Sequence, residues 1–244
     1  NSLSLLADAG HNLGDVLGLV LAWAATILAR RRPTGRRTYG LRKSTVMASL
    51  TNAVLLLVVS GALAWEAVRR FAAPEPVAEI DVMIVAAIGV VINGATALLF
   101  AAGREHDLNI RGAFLHMAAD AGVSLGVVLS ALAILSTGWL WLDPATSLLI
   151  VAVIAVGTWS LLRDSLDLAL DAVPAGINPE AVRAYLGGLA GVTAVHDLHI
   201  WAMSTTEAAL TVHLVRPGAG TDDAWLADLT ETLRHRFDIP HATI

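Results

Sequence analysis

The sequence has no cysteine and little charge. With Cys 0 among 244 residues, disulfides and thiolate metal sites are excluded, so a bound metal has to be held by imidazole, carboxylate or water. Charged residues make up 15% of the chain, against roughly a quarter in an ordinary soluble domain. The deficit lies in the first two thirds, where five long stretches are almost free of charge, and 56% of the chain is hydrophobic. Together with a mean hydropathy of +0.66, this points to an integral membrane protein in contact with a lipid bilayer. A basic face that could follow a phosphate backbone is missing too. The net charge is −5 and the acidic excess lies in the last third, which argues against nucleic acid as a partner. The chain opens at Asn1 straight into an apolar run, without the basic flank and cleavage site of a signal peptide. It reads as a piece of something longer.

What is present is a series of apolar segments, at about residues 3–29, 45–64, 82–103, 113–136 and 144–163. The second has 20 residues without a charge, about the ~20 needed to cross a bilayer. Trp139-Leu140-Trp141 forms an aromatic anchor of the kind found at membrane interfaces. Seven Lys/Arg residues, from Arg30 to Lys43, separate the first two segments and mark that loop as cytoplasmic. Alternation then puts the loop of residues 104–111 and everything after Arg163 in the cytoplasm, and the Trp139 loop outside. Arg69 and Arg70, on the external side, run against this assignment. Five spans leave the N-terminus outside, which a further span before Asn1 would resolve.

Beyond Pro174 the character is that of a soluble domain. Residues 179–189 read as a short helix capped by Asn178 with Pro at its first position. Residues 195–202 and 209–215 read as strands; in the second, Leu210, Val212 and Leu214 alternate with Thr211, His213 and Val215. Residues 222–237 read as an amphipathic helix, and residues 241–244 as the start of a third strand. The expectation is a helical membrane bundle on residues 1–172 and a small α+β domain on 173–244, with its helices on one face of a sheet.

Ionisable groups interrupt the apolar runs at two places. His11 and Asp15 are four residues apart in the first segment, and His116 and Asp120 repeat that spacing in the fourth. Side chains four apart lie on one face of a helix. At about 100° per residue, Asp8 joins His11 and Asp15 within about 60°, and Ser124 joins His116 and Asp120 within about 80°. Charged groups in the bilayer are costly, face the bundle interior and mark transport paths. Gly10, Gly14 and Gly18 on one segment, and Ala118, Gly122 and Gly126 on the other, suggest that these two helices approach each other closely.

Two imidazoles and two carboxylates suit the tetrahedral preference of Zn²⁺. The carboxylates also balance the metal's charge, so a filled site is neutral in hydrocarbon. Ligands must shed protons to bind metal, and exchange of metal against protons follows from that balance. A single membrane His or Asp is explained equally well by a hydrogen bond between helices; two identically spaced pairs are not. Asp8 fits a proton relay or a packing residue. Asn52 and Asn93 fit interhelical hydrogen bonds or, less readily, contact with the ion path.

Several stretches resemble the cation diffusion facilitator family of divalent-metal/proton antiporters, in particular its zinc-type members. They are Leu5-Leu6-Ala7-Asp8-Ala9-Gly10-His11 through Asp15, Arg37-Thr38-Tyr39-Gly40, Glu105-His106-Asp107-Leu108-Asn109 through His116 and Asp120, and His196-Asp197-Leu198-His199-Ile200-Trp201. The resemblance implies six spans, of which this chain holds the second to sixth, and a ferredoxin-like αββαβ cytoplasmic domain. It further implies a homodimer in a bacterial cytoplasmic (inner) membrane that exports zinc through His11, Asp15, His116 and Asp120. Cadmium, cobalt and ferrous ions are lesser candidates, protons are the counter-ion, and no organic substrate is implied. His rather than Asp at the first position of the pair favours zinc over manganese. A second metal site in the loop after the family's second span is not expected, because Leu41 and Arg42 stand where its histidines would be.

His196 and His213 match positions that bind metal in the family's cytoplasmic domain, where zinc would act as a regulatory ligand. The residues themselves leave open a metal site, completed by a ligand beyond Ile244, or ordinary surface histidines. His196 and His199, three apart on a strand, are expected on opposite faces. His235 and His241 read as exposed or capping residues. Two rival functions fit the same residues. One is a membrane-embedded metalloenzyme, against which stand four ligands where a catalytic zinc keeps an open position. The other is a membrane-anchored metal sensor, against which stand the polar groups deep in the spans.

Overall fold

A computed structural model describes residues 2–73, 76, 78–101, 108–218 and 223–244, with side chains in the fourth helix from residue 114 onward. Five long helices come first: α1 (Leu3–Ala29), α2 (Ser44–Ala72), α3 (Glu79–Ala101), α4 (Leu108–Thr137) and α5 (Leu142–Ala169). A small domain follows, made of α6 (Pro179–Gly187), β1 (Ala194–Ala202), β2 (Ala208–Val215), α7 (Asp223–Phe237) and β3 (His241–Thr243). The αββαβ order matches the expectation. The segments of low charge became helices of 23 to 30 residues, all long and apolar enough to cross a membrane. The loop residues from Arg104 to Asp107, Pro74 and Asp222 lie outside the described residues.

The chain divides into two compact units, Asn1–Leu17 with Val54–Trp159, and Gly18–Ala53 with Ser160–Ile244. The core of the first is built from Ala7, Val82, Ala86, Val127, Ala131, Ile150, Val151 and Ile154. Small and β-branched side chains dominate it, as they do where helix backbones pack closely in lipid. Large apolar side chains point outward, among them Leu99 at 81% exposure and Val156 at 76%. In a bilayer those faces meet acyl chains.

One buried carboxylate fastens this unit at the start of α1. Asp143 accepts hydrogen bonds from the Leu3 backbone N–H (2.8 Å) and from the Ser2 and Ser4 hydroxyls (2.6 Å each). The Ser4 backbone N–H donates as well, at 3.2 Å. Asp143 therefore caps a helix far from it in sequence and supplies acceptors for N–H groups that have no partner inside α1.

The small-residue reading needs correction. The α1 glycines face α2, not α4. A Cβ built on Gly14 would lie 2.5 Å from Leu56 Cδ2, one on Gly10 would lie 4.0 Å from Val59, and one on Gly18 would lie 2.8 Å from both amide atoms of Asn52. On α4, a Cβ at Gly122 or Gly126 would meet nothing within 4 Å. The reason is angular. At 100° per residue, the glycines are centred about 90° round the helix from the His11–Asp15 face. Gly18→Ala is thus expected to destabilise the protein by about 1–3 kcal/mol through overpacking. Gly126→Ala should be neutral or slightly stabilising, since alanine is the better helix former. Thermal unfolding in detergent would separate the two.

In the second unit, Asn178 caps α6 by accepting from the Ala181 N–H at 2.9 Å, with Pro179 opening the helix as anticipated. The sheet order is β1-β2-β3; β1 and β2 run antiparallel, β2 and β3 parallel. Val182, Leu186, Ile200, Leu210, Val212, Leu229, Leu233 and Ile239 form its core. The alternation read in β2 holds, with Leu210 and Val212 buried and His213 and Val215 exposed. Two basic residues ahead of α2 join this unit together. Arg42 donates to Glu207 (2.5 Å) and His241 (2.9 Å), and Lys43 donates to Asp171 (2.5 Å).

Candidate metal centre

The helical spacing of four places each histidine over its carboxylate, and the fold brings the two pairs together within the first unit. Along α1, His11 Nε2 is 3.6 Å from Asp15 Oδ2; along α4, His116 Nε2 is 3.6 Å from Asp120 Oδ2. Between the helices, His11 Nε2 is 3.2 Å from Asp120 Oδ1 and His116 Nε2 is 3.4 Å from Asp15 Oδ2. The four groups form a ring in which imidazole and carboxylate alternate.

Those distances carry chemical meaning. Zinc bonds to N and O of ~2.0–2.2 Å in a tetrahedron put the donor atoms about 3.4 Å apart. Asp120 turns a different oxygen to each histidine, so with one donor atom per residue three of the six edges of such a tetrahedron are already near that length. Donor atoms of His11, Asp15 and Asp120 lie within 4.8 Å of one another, a grouping able to hold a metal ion. The two imidazoles are farther apart, edge to face with centroids 6.2 Å apart. Buried polar atoms normally have partners, yet Asp15 Oδ2 and His11 Nδ1 are buried without a hydrogen bond. Asp120 is the most enclosed of the four at 5% side-chain exposure and His116 the most open at 47%, so the ring is accessible on the His116 side.

Asp8 stands beside the ring and does not join it. It is 4% exposed and accepts from the Ser124 hydroxyl on α4, at 3.1 Å through Oδ1 and 2.9 Å through Oδ2. Asn12 donates to the Asp8 carbonyl oxygen at 2.9 Å. Of the two asparagines singled out, Asn52 lies against Gly18 and Asn93 is buried on α3.

In the small domain His196 and His213 sit directly opposite each other on β1 and β2, with ring centroids 5.5 Å apart. The expectation for His199 is overturned. The strand register shifts between His196 and His199, and Asp197 takes a left-handed φ of 56°. This bulge inserts one residue and breaks the alternation. His199 then bonds Asp197 at 3.0 Å, while His213 lies 3.6 Å from the other carboxylate oxygen. Sequence reasoning missed Asp197, although an aspartate within a strand is a signal for a bulge because strands disfavour it. His235 is exposed, 2.7 Å from Glu231.

The hydrogen bond with His199, helped by the charges of His199, His213 and His196, holds the Asp197 carboxyl below the usual carboxylate range. For a depressed carboxyl the stabilising contact is fully present above about pH 4 and is lost as the pH falls through the lowered value. Removing the donor in His199→Ala should raise the Asp197 titration toward ~3.9. Carboxyl-carbon NMR would read it, and an unchanged midpoint would refute the assignment.

Residues 1–168 match the model of the cation efflux transmembrane domain. Residues 174–244 match that of the cation efflux protein, cytoplasmic domain, a model named for dimerisation. The chain is 36% identical over 244 residues to the metal cation efflux system protein CzcD of Cupriavidus metallidurans, covering 100% of this chain and 77% of that protein. It is 36% identical over 245 residues to the zinc transporter ZitB of Escherichia coli, covering 100% and 78%. The cadmium, cobalt and zinc/H(+)-K(+) antiporter of Bacillus subtilis is 32% identical over 253 residues, covering 100% and 80%. Five apolar helices, a small α+β domain and both family models along one chain identify an integral membrane transporter, not an enzyme, that belongs to the cation efflux family.

Proposed function

We propose that the protein exports divalent metal, zinc above all, from the cytoplasm in exchange for protons, through the ring of His11, Asp15, His116 and Asp120. The observation that carries this reading is the set of four imidazole–carboxylate distances between 3.2 and 3.6 Å. Each helix brings one neutral and one anionic donor, so α1 and α4 together supply the two negative charges that balance one M²⁺ in hydrocarbon. Two of the four distances lie within a helix and are fixed by its geometry. The other two join the helices, so they are set by how α1 and α4 pack against each other.

Charge balance supplies the coupling. A departing cation leaves two carboxylates in a medium that penalises net charge, and protons restore neutrality. The next metal displaces them, since metal ligands bind deprotonated. Cadmium and cobalt, printed in the name of the Bacillus subtilis relative, are taken as further substrates, and ferrous ion as a minor one. The basic segment between α1 and α2 supports placing that loop, and with it the C-terminal domain, in the cytoplasm of a bacterium's inner membrane. On this reading residues 1–172 form the transport domain and 173–244 a cytoplasmic domain through which two chains pair. Asp197 and His199 join His196 and His213 there as donors for a second, regulatory zinc.

The test is radiozinc uptake into proteoliposomes under imposed pH gradients. Uptake that rises with the proton gradient and collapses when the gradient is dissipated is the expected result. Zinc uptake with no dependence on the gradient would overturn the exchange.

A further inference from the structure

Asp8 and Ser124 are buried, face each other across the two metal-bearing helices, and belong to none of the chemistry above. Asp8 is 4% exposed and Ser124 0%. Their contact sits one helical turn from the ring on both sides: Asp8 precedes His11 by three residues and Ser124 follows Asp120 by four. Asn12 holds the Asp8 carboxylate from its own helix, its Nδ2 being 3.3 Å from Oδ1. A third helix closes the arrangement. A Cβ built on Gly89 of α3 would lie 2.9 Å from Ser124 Oγ, 3.4 Å from Ser124 Cβ and 3.8 Å from Asp8 Oδ2. Only a residue without a side chain lets α3 back Ser124 against Asp8.

We propose that the Asp8–Ser124 contact, backed by Gly89, is a brace that fixes the separation of α1 and α4 and thereby makes the ring select zinc over larger divalent cations. This rests on the ring being the transport site. The two distances that join the helices, 3.2 and 3.4 Å, are the ones this separation sets. At that spacing the ring matches the bond lengths of zinc. A looser ring favours a cation with longer bonds to its ligands, such as cadmium. Asp8, Ser124 and Gly89 are thus positioning residues and do not touch the ion. The carboxylate serves as a hydrogen-bond acceptor, and an amide oxygen at the same place would serve as well.

The test compares zinc and cadmium uptake by proteoliposomes for wild type, Ser124→Ala, Gly89→Ala and Asp8→Asn. Ser124→Ala removes the donor. Gly89→Ala displaces the hydroxyl from a helix that carries no ligand. Both should lower the ratio of cadmium KM to zinc KM about five-fold, the effect of losing one ordinary hydrogen bond, with kcat nearly unchanged. Asp8→Asn should retain wild-type selectivity. A second readout does not need transport: because the chain has no native cysteine, nitroxide labels on Leu13→Cys and Leu125→Cys report the distance between α1 and α4. That distance distribution should broaden in Ser124→Ala and Gly89→Ala and stay narrow in Asp8→Asn. Unchanged distances and selectivity in both alanine variants, or loss of selectivity in Asp8→Asn alone, would overturn the brace. Broadened distances in a protein that moves no metal would support the brace and defeat the transport reading instead.

Discussion

Asp120→Ala is expected to lower zinc flux roughly 10²–10³-fold. A four-ligand zinc site is worth about 10–16 kcal/mol, so one ligand carries about 2.5–4 kcal/mol, and each ~1.4 kcal/mol is tenfold in affinity. The charge adds to this. Without the Asp120 carboxylate a filled ring is left with one net positive charge, and an unbalanced charge at the bilayer centre costs about 2.5–3.5 kcal/mol on insertion scales. Asp120→Asn separates the two effects, because it leaves an oxygen donor near His11 while removing the charge. If neutrality governs the site, Asn is nearly as inactive as Ala. If donor count alone governs it, Asn keeps most of the flux. Because truncating one partner of a buried pair costs stability, thermal unfolding is followed for both variants, and Asn keeps the oxygen acceptor that faces His11. Zinc flux into proteoliposomes, with zinc binding measured by calorimetry on the same samples, checks both points. Wild-type flux in Asp120→Ala would end the model of the ring.

The ring was legible in the sequence because each half is local. A His and an Asp four residues apart must share a helix face, and hydrocarbon forces that face inward, so two matched halves imply one site. The helices and strands were legible for the same reason, since their periodicity is set by near neighbours. What the sequence hid depends on the third partner. Gly10, Gly14 and Gly18 announce a close approach without naming the helix that approaches, and α2 takes the place assigned to α4. Gly89 gave no sign at all, because its role lies in the two side chains it lets meet. His199 was misplaced by a regular strand rule that one left-handed residue, Asp197, suspends. Asp143-Pro144 announced the start of α5, which was correct and incomplete. The same carboxylate also closes a helix some 140 residues earlier, a pairing that no local pattern records.

Asp143→Ala is expected to lower stability by as much as truncating a large core side chain. The carboxylate accepts four hydrogen bonds at the start of α1, two from backbone N–H groups and two from serine hydroxyls. It is 2% exposed, so water cannot readily replace it. Loss of an ordinary helix cap costs ~0.5–2 kcal/mol, and hydrogen bonds to a charged group are worth about 1.5–3 kcal/mol each. The serine hydroxyls can turn toward other acceptors, which leaves about 3 kcal/mol as the expected loss. That corresponds to a fall of about 5–10 °C in Tm for a chain of this size. Asp143→Asn is the informative control. Its Oδ1 can still accept from Ser2 and Ser4, but its amide nitrogen meets the Leu3 N–H, 2.8 Å away in the wild type, donor against donor. The favourable interaction of the carboxylate with the positive end of the helix dipole is lost as well. Asn should therefore fall between Ala and wild type, and in both variants zinc affinity at the ring should be kept below the transition. The measurement is thermal unfolding in detergent with and without zinc. A Tm unchanged in Asp143→Ala would show that the start of α1 is held by its packing around Leu3 and Ala7 rather than by its cap.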